Sequence, residues 1–451
     1  MKKAFELGFY VTFGAGIAFG ISSFTIISEL FKVASSFWLV VSICIAGLIC
    51  MLLSSSIAEL ASMYPSSPGV RTYLKVALPP RTSLFLVYLY LMFMIMVAGI
   101  ESYLFALVVR QLFPQLPALA VVLTLLACTV VVNLLGLELP RGVQMFTTTA
   151  LILGVLGLGA YGAGTHLSEL HWNSTTIMDR QTLGHPLWQV LGAVGSAVYL
   201  FIGFEWVTMM GFSAKSYERK IPISMPLAIL TNIVAYCVFS LAMATRMHVA
   251  NITVTDIPQI SYFVQIFGAR GSAVGLMLSI LAIVSCFNAG VMGGSRLIHA
   301  LAREGNFPKS WGKISLNTGA PIGGVLALGG LAAIGSVVIV RFNLAEITAV
   351  VGSTIVCFVY AAFMWAVLRL RKAQPNARRT FRSPLPVWLQ WGMVGVLPVA
   401  GIGALFGLEG KTFYYGLATI TGLVVISAVT VLWSTKYNSN AAAMRLQAKA
   451  S

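Results

Sequence analysis

Apolar residues run on for 20 positions and more between short charged or Pro/Gly-rich breaks. A hydrocarbon core of about 30 Å takes about 20 apolar helical residues to cross. Each run therefore predicts a membrane-spanning helix, and there are twelve: 8–32, 36–63, 83–112, 115–135, 142–163, 186–212, 222–246, 271–300, 320–341, 345–370, 387–408 and 414–434. Two runs are weakened from within. The first contains Gly14-Ala15-Gly16-Ile17-Ala18-Phe19-Gly20-Ile21-Ser22-Ser23; the sixth contains Gly192, Gly195 and Ser196, then Phe201-Ile202-Gly203-Phe204-Glu205. Glycine costs about 1 kcal/mol in a helix interior, and main chain that leaves the helix at membrane depth survives only where it is buried or lines a cavity. Small residues also serve close helix packing. Position decides between the two readings, because spans one and six are five apart, as an inverted repeat of five plus five helices requires. The expectation is an all-α integral membrane protein with broken helices 1 and 6. Its first repeat would cover 8–163 and its second 186–370, with two further helices in 387–434 and a tail in 435–451.

Composition agrees with a lipid solvent. Of 451 residues, 58% are hydrophobic and 9% charged, with mean hydropathy +0.89, against about 25% charged in a soluble domain. The net charge of +16 is scattered in small groups between apolar runs, which excludes a nucleic-acid-binding face. The basic residues concentrate on alternate connections, leaving Lys32, Arg110, Arg180, Arg246, Arg270, Arg341 and Lys411 on the other side. The positive-inside bias then puts both termini in the cytoplasm, in a cell (inner) membrane. The apolar run after Met1-Lys2-Lys3 is too long for a signal peptide and is expected to be retained as the first span. The six cysteines lie in apolar runs without a CxxC pair and read as small core residues. His166, Glu169, His171 and Asp179 share the longest outer loop, but the histidines are five apart, so a solvated loop is expected, not a metal site. Asn173-Ser174-Thr175 and Asn251-Ile252-Thr253 match the glycosylation sequon only formally, and Gly410-Lys411-Thr412 lacks the upstream glycine of a phosphate loop. No metal or cofactor is expected.

An unwound helix centre frees N–H groups at the start of one half-helix and carbonyls at the end of the other, an anion site beside a cation site. A zwitterionic amino acid carries both charges a few ångströms apart, so paired breaks can grip it without a charged side chain. On this reading Gly20, Ile21 and Ser22 offer N–H groups to a carboxylate, and carbonyls near Ala18, Tyr199 and Ile202 take an ammonium. The glycines Gly20 and Gly203 let a ligand approach the main chain. Phe201 and Phe204, with Phe19 and Tyr199, flank the breaks and are candidates for an aromatic lid.

The run Gly14 to Phe24 is similar to the first-helix signature of the amino acid-polyamine-organocation (APC) transporter superfamily. Four further stretches resemble family motifs: Ala58-Glu59-Leu60-Ala61-Ser62-Met63-Tyr64-Pro65 with Gly69 and Tyr73, Phe201-Ile202-Gly203-Phe204-Glu205, Gly294-Ser295-Arg296-Leu297-Ile298 with Ala302 to Pro308, and Arg379-Thr380-Phe381-Arg382-Ser383-Pro384. The resemblance implies an inverted-repeat transporter whose helices one and six form the substrate site, lined by three, eight and ten. It implies alternating-access movement of amino acids or amines, as a proton symporter or an exchanger. Two departures stand out. The family's G-(S/T)-G triplet is Gly20-Ile21-Ser22 here, and Leu151 occupies the position of a lysine that many members carry on helix five.

Glu101 and Glu205 lie inside spans, where an ionisable side chain is costly and usually faces the bundle interior or an aqueous path. Both are candidates for proton or cation handling, and for each the alternative is a carboxylate bonded to the ends of a broken helix. Glu59, near the end of helix two, reads as structural. Ser285 and Asn288 on helix eight face either the break in helix one, where substrate or sodium would bind, or a neighbouring helix. A membrane enzyme would need His, Asp or Cys clustered at one depth, and the five histidines sit mostly in loops. A channel of the same fold would differ from a carrier by passing unitary current.

Overall fold

The computed structural model describes all residues except 1, 136–140, 166–185, 211–213, 248–256, 317–318, 343, 409 and 451, and among the described residues the secondary structure is helical, joined by short connections. The loop histidines and acids at 166–179 and both sequons fall outside the described residues. Among the described residues ten helices are long and apolar enough to cross a membrane, and the bent pair Phe5–Ala18 and Ile21–Lys32 makes an eleventh span. The shorter Ala118–Leu134 stands fourth in order. All twelve expected spans thus have a counterpart.

The remaining spans are Ser36–Met63, Pro80–Leu112, Arg141–Gly164, Pro186–Met209, Ile221–Arg246, Gly271–Arg303, Ile322–Phe342, Ala345–Ala373, Val387–Phe406 and Gly410–Ser434, the last continuing as helix to Ala450. The third span starts three residues before the expected 83 because Pro80 serves as its first helical residue, where a missing N–H costs nothing. Three short α-helices among the described residues were not anticipated, Gly69–Ala77, Ala214–Arg219 and Pro258–Phe267. The first buries Val70, Tyr73 and Leu74 beneath a span-free stretch that reads as loop.

Packing follows a rule of five. The first span packs on the seventh and the sixth on the second. The fifth packs on the seventh and the tenth on the second; the fifth meets the eighth and the tenth the third; the third meets the ninth and the eighth the fourth. Adding five to each of spans one to five and subtracting five from each of spans six to ten exchanges these pairs, as a twofold-related repeat demands.

Both interruptions are present, though the sixth lies later than Gly192, Gly195 and Ser196. Those residues sit inside the helix Pro186–Val198. Gly192 and Gly195 pack against the main chain of Gly403 and Ala400 in the eleventh span, the small-residue packing of membrane helices. The actual break is at Ile202-Gly203, with 3-10 turns Tyr199–Phe201 and Phe204–Met209 on either side.

Three of the family-like motifs converge at the end of the second span. Buried Glu59 accepts from Arg371 (3.0 and 2.6 Å), from Arg379 Nε (3.1 Å) and from the Ser383 N–H (2.9 Å). Nearby, Glu304 holds Arg71 at 2.6 Å and Lys75 at 3.0 Å. Glu59 is therefore structural, tying the segment between the tenth and eleventh spans to the second.

Candidate functional site

The first break is short. Phe19 N–H closes the first half-helix on the Ala15 carbonyl at 3.0 Å, Gly20 is extended (φ −84°, ψ 179°), and Ser23 N–H opens the second half on the Gly20 carbonyl at 3.2 Å. The two halves are bent by 54°. Ile21 and Ser22 are thus first-turn residues with N–H groups that no carbonyl of their own helix can satisfy. Both N–H groups are bonded to one carboxyl, that of Glu101 on the third span: Ile21 N–H donates at 2.8 Å and Ser22 N–H at 3.2 Å. The Ser22 hydroxyl also donates to Glu101 Oε1. Gly20 makes room for this, since a Cβ there would collide with the Glu101 carboxyl.

The second break carries a carboxylate of its own. Ile202 is extended and Gly203 takes φ +118°, a left-handed conformation, with Ile17 of the first span 2.9 Å from where its Cβ would stand. Glu205 turns back to accept the Gly203 N–H at 3.1 Å. Its two oxygens are further held by Tyr90 of the third span (2.5 Å) and Tyr360 of the tenth (2.8 Å).

Tyr236 of the seventh span joins the breaks. Its hydroxyl lies 3.0 Å from the Ala18 carbonyl and 2.9 Å from the Leu200 carbonyl, its one proton facing both, and 3.2 Å from the Ser23 hydroxyl. Ser23 also donates to the Ala18 carbonyl at 3.1 Å. The carbonyl of Tyr199 accepts Ile202 N–H at 3.2 Å.

A cavity of about 80 Å³, its walls largely apolar, opens where the breaks meet. Of the residues singled out from sequence, Ala18, Gly20, Ser22, Tyr199, Ile202, Gly203 and Glu101 line it. Ile21, Phe201, Phe204, Glu205, Ser285 and Asn288 do not. Phe201 packs on Tyr236 and Phe204 on Tyr360 (ring centroids 5.8 Å in both), so neither forms a lid over the cavity. Ser285 instead meets Thr148 (2.7 Å) and Gln144 (2.8 Å) of the fifth span, and Asn288 donates to Gln144 at 2.9 Å. This polar cluster lies behind Gly16, where a Cβ would strike Ser285 and Thr148. Leu151, in the place of the family's lysine, is fully buried.

The walls also depart from the expectation of spans three, eight and ten. Spans three and eight contribute, but the outer walls come from Thr129 and Val130 of the fourth and Leu328 and Gly329 of the ninth, with none from the tenth. The tenth reaches the site through Tyr360 on Glu205. Trp206, which sequence reading passed over, lines the cavity, and its indole N–H and the Tyr199 hydroxyl are both buried, with no hydrogen-bond partner within 3.5 Å among the described residues. Its adjacency to the Phe201-Glu205 run was the available signal. Among the described residues no group of His, Cys, Asp and Glu is arranged to hold a metal ion.

The model for amino acid permeases matches residues 7–438. The chain belongs to the amino acid permease family. The permease is 27% identical to the aromatic amino acid transport protein AroP of Corynebacterium glutamicum, over 86% of each chain. It is 22% identical to the gamma-aminobutyric acid permease of Escherichia coli, over 80% of this chain and 79% of that one. The low-affinity putrescine importer PlaP of the same species is 24% identical over 83% and 82%. Among solved structures, a manganese transporter of Eremococcus coleocola superposes with a TM-score of 0.62 at 13% identity, covering 96% of the permease and 94% of that chain. The permease therefore has the fold of this transporter class and is a multi-pass membrane transporter.

Proposed function

We propose that this permease moves an amino acid, or a related amine, by alternating access, the substrate's charged ends held at the two breaks, with a proton or a second substrate as the driving partner. The observation that carries the reading is the carboxyl group seated on the N–H groups of Ile21 and Ser22 at the edge of the cavity. A site that holds Glu101 in this way has the donors, the spacing and the main-chain access to hold a substrate carboxylate. The substrates for which the relatives are named span amino acids and a diamine, in keeping with a site whose recognition is mostly main chain. Gly20, Ile21, Ser22, Ala18, Tyr199, Ile202 and Gly203 make up the proposed substrate contacts, with Glu101 as coupling residue. Glu205 is the capping carboxylate of the sixth span. Residues 8–163 and 186–370 form the two repeats on this reading, and both termini face the cytoplasm of a cell membrane.

The test is uptake and counterflow of a labelled amino-acid and amine panel in proteoliposomes, with and without a pH or sodium gradient. Saturable accumulation or exchange of at least one compound is expected. Absence of both across the panel overturns the reading.

A further inference from the structure

The donors of the first break are occupied, and the occupant belongs to the chain itself. Glu101 reaches across from the third span and takes both free N–H groups and the Ser22 hydroxyl. The same cavity is lined by two further buried donors, the Tyr199 hydroxyl and the Trp206 indole N–H, each on a residue only 6% exposed. The titratable groups that face the Glu101 carboxyl are Tyr199 on the sixth span, Tyr236 on the seventh and Cys286 on the eighth. No cation is among its described neighbours. Two carboxylates cannot share this one set of donors, because like charges at that separation exclude each other.

We propose that Glu101 is an internal competitor for the substrate carboxylate. A zwitterionic substrate displaces it from Ile21 and Ser22, and the freed carboxylate takes a proton from hydronium or a buffer acid of the aqueous phase, whose own bond to that proton breaks. An amine lacking a carboxylate leaves Glu101 in place and uses it as counter-ion. The balance is simple: one O–H bond forms on the Glu101 carboxyl, the substrate carboxylate inherits the N–H donors unprotonated, and on substrate release the O–H bond breaks and Glu101 returns. The driving force for proton uptake is the cost of a carboxylate left at membrane depth without donors. Binding and proton movement are thus linked for amino acids and unlinked for amines. This inference rests on the transport reading above and assigns its coupling step.

The experiment is calorimetric titration of the purified protein with matched pairs that differ only in the carboxylate: alanine and ethylamine, phenylalanine and phenethylamine, lysine and cadaverine. Each titration is run in buffers of different ionisation enthalpy, so that protons taken up per ligand bound are counted directly. The expected result is one proton for whichever amino acid binds and none for its amine. Glu101→Gln should bind the amino acid about tenfold tighter, the scale of one charge-assisted hydrogen bond, with no proton uptake, because an amide keeps one accepting oxygen and turns its NH₂ toward the donors. Glu101→Asp should retain the uptake. Amino-acid binding without proton uptake in the unmodified protein overturns the competitor while leaving transport intact, and that measurement needs no variant to fold. Binding of no compound in any pair overturns both.

Discussion

The two breaks use the same main-chain device and settle it in opposite ways. At the first, the exposed N–H groups are met by a carboxyl from another span, 80 residues away in sequence, at the wall of a cavity. At the sixth, the carboxyl comes from two residues downstream and is fastened by Tyr90 and Tyr360 away from the cavity. A cap supplied by a distant side chain facing empty space can be exchanged for a ligand group. A cap from the same turn, clasped by two buried hydroxyls, is part of the fold. Two intramembrane glutamates that look alike in sequence are therefore separated by what surrounds them, and the competitor reading makes Glu101 the exchangeable one.

The glycines draw the same distinction. Gly20 is in extended conformation, which any residue adopts, and is needed only for space against Glu101. Gly203 needs both space and a positive φ. Gly20→Leu is accordingly expected to abolish uptake of every accepted amino acid while the protein still elutes as a folded species in detergent, because the side chain fills the cavity edge and expels Glu101. Normal affinity in that variant would remove the first break from the substrate site.

Next in size is the contrast between the two carboxylates. Glu205→Ala orphans two tyrosine hydroxyls and the Gly203 N–H at roughly 1–3 kcal/mol each, so a loss of about 3 kcal/mol or more is expected in detergent unfolding. Glu101→Ala should cost only about 1 kcal/mol, since water or substrate in the cavity can reach the freed N–H groups. Equal losses would erase the division between a fixed and an exchangeable cap.

Much of this is legible in the sequence. Span order, the broken pair and the first-break N–H groups follow from apolar run length and glycine placement, both local properties. Glu101 was visible as a costly intramembrane acid, but its seat on Ile21 and Ser22 was not, because that contact depends on how the third span lies against the first. The sixth break stands at Ile202-Gly203, among the residues expected to frame it, but the weak stretch was drawn too long for a related reason: Gly192 and Gly195 have the same composition as a weak point, and only the Ala400 and Gly403 main chain opposite them shows that they serve packing. Phe201 and Phe204 flank the break in sequence, yet 3-10 winding turns them toward Tyr236 and Tyr360. The outer walls from the fourth and ninth spans, and the tyrosines that hold Glu205, are long-range facts that no run of residues announces.

The smallest effect concerns the tie between the breaks. Tyr236→Phe keeps the ring against Phe19 (4.7 Å) and Phe201 (5.8 Å) and deletes the hydroxyl shared between the Ala18 and Leu200 carbonyls, with its contact to Ser23. Ala18 retains the Ser23 hydroxyl, so the loss falls mainly on Leu200, just ahead of Gly203. A single interhelical hydrogen bond in a membrane protein is worth about 0.6 kcal/mol on average, and a change of that size is expected in unfolding. Its value lies in combination. Leu200 leads directly into the turn that Glu205 caps, so Tyr236→Phe and Glu205→Ala disturb one short segment, and their costs should fail to add by about 0.5 kcal/mol or more. Combined instead with Glu101→Ala, whose N–H partners lie beyond the first break, Tyr236→Phe should add to within about 0.3–0.5 kcal/mol. The reverse pattern would place Tyr236 with the exchangeable cap, and the division between the two breaks would have to be redrawn around it.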